Sequence, residues 1–104
     1  MVWYSNTMDK LSHIKEVLNE NRSELREQFG IVELGIFGSY VRGEQEATSD
    51  LDLLVTFAEP KSLFQFIRIE DHLSELLGVK VDLVMKKTLK PRIGEKILDE
   101  VQLI

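Results

Sequence analysis

The chain has 104 residues, 13 basic against 18 acidic side chains, a net charge of −5 and no cysteine. That size suits a single domain, spanning 1–104, with one modest core, and the absence of cysteine excludes disulfides and zinc–thiolate sites. The acidic balance argues against an extended nucleic-acid surface, although not against one nucleotide held through a cation.

The N-terminal part, residues 1–30, reads as a helix from roughly Met8 to Phe29, with Leu11, Ile14, Leu18 and Leu25 near helical spacing and Gly30 as its stop. The stretch Met1–Asn6 lacks the basic and long apolar regions of a signal peptide, and no apolar run approaches a membrane span. The chain is therefore expected in the cytoplasm, with no membrane contact. Trp3 and Tyr4 either fold back onto the core or face a partner. Ile31–Phe37 is a strand with Val32, Leu34 and Ile36 on one face. A polar loop, Arg42–Ser49, leads to a second strand, Leu51–Phe57, closed by Pro60. Ser62 caps a helix to about Leu77 whose buried side is Leu63, Phe66, Ile67, Leu73 and Leu77. Val79–Met85 forms a third strand, and Pro91 starts a last helix with Ile93, Ile97 and Val101 inward. The pattern is an α/β (α+β) domain in which helices pack on one face of a small sheet.

Side chains alternate along a strand. In the second strand Leu51, Leu53, Val55 and Phe57 share one face, so Asp50 and Asp52 share the other. In the third strand Val79, Val81, Leu83 and Met85 share a face and Asp82 opposes them. Three carboxylates then meet on one side of the sheet, where a proton or a cation must relieve their repulsion. Hard oxygen ligands favour Mg2+ or Mn2+ over zinc, and a pair of such ions can hold a triphosphate. Asp50 and Asp52 are assigned as metal ligands. Asp82 either ligates the second ion or takes the proton from an attacking hydroxyl.

Gly38-Ser39 ends the first strand. Glycine lets a phosphate approach the backbone, and the Ser39 and Tyr40 amides with the Ser39 hydroxyl are donors for it. The same dipeptide also suits an ordinary strand-to-helix turn capped by serine. Arg42 is either a phosphate ligand or an exposed loop arginine. Lys86, Lys87, Lys90 and Arg92 form a basic run that meets an acidic partner or simply solvates a connection. His13 and His72 lie on helices without a second histidine at ligand spacing and read as structural.

Gly38-Ser39, ten residues, then Asp50-Leu51-Asp52 resembles the signature of the polymerase-β-like nucleotidyltransferase superfamily. Gly35–Gly43 and Ser49–Val55 resemble, more narrowly, the minimal nucleotidyltransferases of bacteria and archaea, and the likeness covers nearly everything from Ile31 onward. The resemblance implies a mixed sheet flanked by helices in a catalytic core over 31–104. It implies Mg2+-dependent transfer of a nucleotidyl group from ATP or another triphosphate. Gly38 and Ser39 match the family's phosphate-binding pair, Asp50 and Asp52 its metal-binding pair, and Asp82 its third carboxylate by strand phase alone.

Such proteins are often encoded beside a helical HEPN-domain ribonuclease toxin. The resemblance thus implies an antitoxin that moves AMP from ATP onto a tyrosine of that toxin, within a hetero-oligomer. The predicted elements leave little chain to build a second substrate pocket, which also points to an acceptor supplied by another protein. Two alternatives stand beside it: a module that neutralises its partner by masking alone, and a transferase subunit acting on a small molecule or RNA end.

Overall fold

The computed structural model describes residues 9–104, and Trp3 and Tyr4 lie outside them. Its elements are α1 (Asp9–Glu20), α2 (Arg22–Phe29), β1 (Ile31–Phe37), α3 (Ser39–Arg42), β2 (Leu51–Phe57), α4 (Leu63–Leu77), β3 (Val81–Met85), α5 (Pro91–Glu100) and β4 (Gln102–Leu103). A 3-10 turn, Lys86–Thr88, joins β3 to α5. The sheet order is β3-β2-β1-β4. β1 is antiparallel to β2 and to β4, whereas β2 and β3 are parallel and joined through α4. This is the expected mixed sheet, with one strand more than the sequence suggested.

The single first helix is in fact two. Asn21 leaves helical geometry, its backbone N–H donates to Val17 O at 3.1 Å, and its side-chain amide donates to the same carbonyl at 2.8 Å. Asparagine competes for backbone partners in this way and interrupts a helix that apolar spacing alone would continue. Gly30, at φ 69°, ends α2 and returns its N–H to Arg26 O.

Ile14, Leu18, Leu25, Leu34, Ile36, Leu51, Leu53, Val55, Ile69, Leu73, Val81 and Leu83 belong to one core between the helices and one sheet face. The phase expected for β2 holds. That of β1 does not: a bulge between Ile31 and Glu33 turns Val32 outward, at 42% exposure, and puts Ile31 beside Leu34 and Ile36 in the core. An extra residue in a strand shifts the alternation by one, and no period-2 pattern announces it.

In α4 the inward row is Phe66, Ile69 and Leu73, while Leu63, Ile67 and Phe64, the last 85% exposed, face out. Leu63, Phe64, Phe66, Ile67 and Ile69 cover adjacent rows of the helix, so spacing allows more than one buried stripe and packing selects one. Ser62 and Gln65 form a reciprocal capping box at its start. The helix also protects the sheet edge: Ser74 Oγ and Glu70 Oε2 accept the N–H groups of Val81 and Leu83, at 3.0 and 2.8 Å.

β3 begins at Val81 rather than Val79, because Gly78 and Val79 are still turning, and the Lys80 carbonyl accepts the Leu51 N–H just ahead of the strand. In α5 the buried residue is Gly94, and Ile93 points to solvent at 56% exposure. The inward stripe expected over Ile93, Ile97 and Val101 is thus rotated. Gly94 packs against Leu89, where a Cβ would lie 3.3 Å from that side chain. Among the described residues no helix is long and apolar enough to cross a membrane.

Candidate active site

The second sheet face holds Asp52 and Asp82. Phe37, Asp52 and Asp82 stand side by side across β1, β2 and β3, since Phe37 pairs with Asp52 and Asp52 with Asp82. The expectation that strand phase brings Asp82 beside the Asp50–Asp52 pair is therefore met by the register itself. Asp50 is half-buried just before β2, Asp52 is half-buried within it, and Asp82 is exposed on the outer strand.

Asp50 and Asp82 both bear on Asp52. Asp52 is pushed up to about 6 from an ordinary 3.8, first by loss of solvent and then by the charges of Asp82 and Asp50, with Arg42 opposing them. Among the described residues no three such groups are already drawn together as a finished metal-binding set. The arrangement is instead three hard oxygen donors on neighbouring backbone positions, within each other's field. That donor set suits a divalent cation of the Mg2+ type.

Gly38 follows β1 with φ 82° and ψ −154°, a conformation suited to glycine. A Cβ there would lie 2.1 Å from Asp52 Oδ2. Glycine is thus required twice, once by the backbone and once by the carboxylate packed on it. The turn continues into α3, where Tyr40 is buried in the core and Gly43, at φ 72°, ends the helix. Ser39 is held at the mouth of the site between the fixed glycine and the buried tyrosine. Its amide and that of Tyr40 lie in the first turn, where a helix offers them no internal acceptor.

Arg42, read as either a phosphate ligand or an exposed loop arginine, is half-exposed and held by two carboxylates. Its Nε donates to Glu44 Oε1 at 2.8 Å and its Nη1 to Glu100 at 3.0 and 3.2 Å. These two carboxylates hold its proton more firmly than usual. Glu100 also accepts the Gly38 N–H at 2.8 Å. Glu100 carried no sequence signal, because its partners lie 62 and 58 residues away. In the basic run, Lys86 pairs with Glu33 at 3.1 Å. Lys86, Lys87 and Lys90 border a cavity of about 680 Å3 between α5 and the far end of β2. The His72 ring packs tilted against Phe29 with ring centres 4.9 Å apart, and His13 is exposed.

Residues 15–104 match the family described as "Nucleotidyltransferase domain". The protein adenylyltransferase MntA of Thermococcus cleftensis is 52% identical over 91 residues, covering 88% of this chain and 92% of that one. A solved structure described provisionally as a minimal nucleotidyltransferase superposes with a TM-score of 0.70 at 38% identity, over 91% of this chain and 93% of the other. A tri-AMPylated Shewanella oneidensis HEPN toxin in complex with its MNT antitoxin gives a TM-score of 0.64 at 19% identity, over 86% of this chain and 70% of that one, a likeness of fold.

Proposed function

The chain belongs to the nucleotidyltransferase domain family, and on that premise we propose that it is an antitoxin that transfers AMP from ATP to a tyrosine of a HEPN toxin. The observation that carries the reading is the pairing of Asp52 with Asp82 on the sheet face that also holds Gly38. The residues read as phosphate donors and those read as metal ligands thus stand together. The name of the Thermococcus relative supports a protein acceptor, and the Shewanella complex supports a HEPN partner within a hetero-oligomer.

In this reading Asp50 and Asp52 would hold Mg2+, two ions in the full site, and Asp82 is kept for the proton. The cation supplies charge neutralisation for the triphosphate and lowers the pKa of the attacking hydroxyl. Gly38 leaves room for the Asp52 carboxylate, which a side chain there would push aside. Ser39 donates its hydroxyl and amide to phosphate oxygens. The tyrosine oxygen attacks the α-phosphorus, a new P–O bond forms, and the bond to the bridging oxygen breaks as pyrophosphate leaves. The hydroxyl proton passes to Asp82, which lies on the outer strand where a protein acceptor can reach it. Most of the catalytic gain in such a transfer comes from placing and neutralising charge.

The test is to incubate the chain with ATP, Mg2+ and its HEPN protein and to weigh the partner. One or more AMP additions are expected, and an unchanged mass under metal-replete conditions refutes the reading. Asp50→Asn with Asp52→Asn should abolish transfer. If that double variant still neutralises the toxin in cells as well as wild type does, masking rather than modification is the mode of action.

A further inference from the structure

Glu100 lies outside every motif of the sequence, yet it grips the glycine turn from across the molecule. Its Oε2 accepts the Gly38 N–H at 2.8 Å. Both its oxygens accept from Arg42 Nη1, and Glu44 holds Arg42 Nε from the other side. One carboxylate therefore clasps both ends of the Gly38–Arg42 turn. The Glu100 side chain is only 26% exposed, and a charge so placed is retained where charge-assisted bonds satisfy it.

The segment that delivers Glu100 is itself held in place. Val101 packs over Gly35, where a Cβ would come within 2.6 Å of Val101 Cγ2. β4 pairs Leu103 with Gly35 and Gln102 with Ile36. On the core side Lys15 Nζ donates to Gln102 Oε1. The end of α5 is thus anchored to the same strand that leads into Gly38.

We infer that Glu100 is a positioning residue of the nucleotide site, setting from the C-terminal helix the orientation of the Gly38–Arg42 turn and so the reach of Ser39 toward the phosphates. This rests on the nucleotidyl-transfer reading above. The Gly38 amide has one hydrogen, and it is committed to Glu100, so the phosphates are met by Ser39. Arg42, turned toward two carboxylates, fixes the turn rather than reading the phosphate. The C-terminal helix becomes part of the site without touching the substrate.

The test uses the full chain with Glu100→Ala, Glu100→Gln and, as a control for charge on the same helix, Glu95→Gln. Three quantities are measured: hydrogen exchange of the Gly38 amide, the affinity for ATP with Mg2+, and the kinetics of AMP transfer. For Glu100→Ala, Gly38 exchange should accelerate about tenfold and KM for ATP should rise about tenfold, with kcat within about twofold of wild type. Glu100→Gln keeps an acceptor for Gly38, and its KM should rise only about threefold. It also serves as the deciding variant if Glu100→Ala does not fold. Glu95→Gln should leave all three quantities unchanged.

Tighter ATP binding in the Glu100 variants would overturn the proposal by making Glu100 a competitor of the phosphates. Unchanged ATP affinity with faster Gly38 exchange would overturn it by making the clasp merely structural. An unprotected Gly38 amide in the wild-type protein would refute the clasp whatever the transfer assay shows. A wild type that binds ATP yet modifies no protein would refute the adenylylation reading and leave the Glu100 result standing.

Discussion

The two faces of β2 obey opposite rules. Leu51, Leu53 and Val55 are closed off in the core, with Leu53 paired to Ile36 on one side and Leu83 on the other. One residue away, Asp52 sits between Phe37 and Asp82, partly stripped of water and beside like charge. Burial stabilises the first face, because apolar surface leaves water. It strains the second, because a charge does. A carboxylate kept at such a cost marks a candidate site, and it alternates with stabilising residues along one strand.

Substitutions at Leu53 and at Asp52 should therefore differ in sign. Leu53→Ala should have the largest effect, a loss of about 3 kcal/mol from the cavity it leaves, seen in chemical denaturation. Gly38→Ala should follow, costing about 2 kcal/mol through its positive φ and its collision with Asp52. It should abolish AMP transfer even at temperatures where the protein stays folded. A Gly38→Ala protein that transfers normally would break the contrast, by showing that the site wall tolerates a side chain.

Asp52→Asn should move stability the other way. The folded-state value of about 6 lies above the ordinary 3.8, so between about pH 4 and 6 the folded state holds the proton and the unfolded state has released it. Wild-type stability should therefore fall as pH rises through that window, and the loss is complete above it. Asp52→Asn should flatten that decline and raise Tm by a few degrees at pH 7 while transfer is lost. Mg2+ should raise the wild-type Tm at pH 7 and do so less in the variant, because only the native carboxylates bind it well. A lower Tm for Asp52→Asn would contradict the strain assigned to this face. The smallest effect belongs to Phe64→Ser, within about 0.5 kcal/mol, since that ring stands 85% exposed.

Much of the site was legible from local order. Gly38-Ser39 and Asp50-Leu51-Asp52 lie at the ends of strands whose limits, Ile31–Phe37 and Leu51–Phe57, match the expected ones. Alternation placed Asp50 and Asp52 opposite the core, and the parallel register then set Asp82 beside Asp52. The errors fall where several local patterns compete. The β1 bulge displaced Val32, the crowded apolar rows of α4 hid which stripe is buried, and Asn21 split a helix that spacing alone would have continued.

The sequence by itself determined the motif spacing, the face on which Asp52 stands and the glycine at the turn. Each of these follows from backbone geometry within a few residues. Only the tertiary structure decided that β4 extends the sheet, that Gly94 rather than Ile93 faces inward, and that Glu100 clasps Gly38 and Arg42. The physical reason is distance along the chain: alternation and capping act between near neighbours, whereas the partners of a lone carboxylate are set by how the sheet and its last helix close on each other.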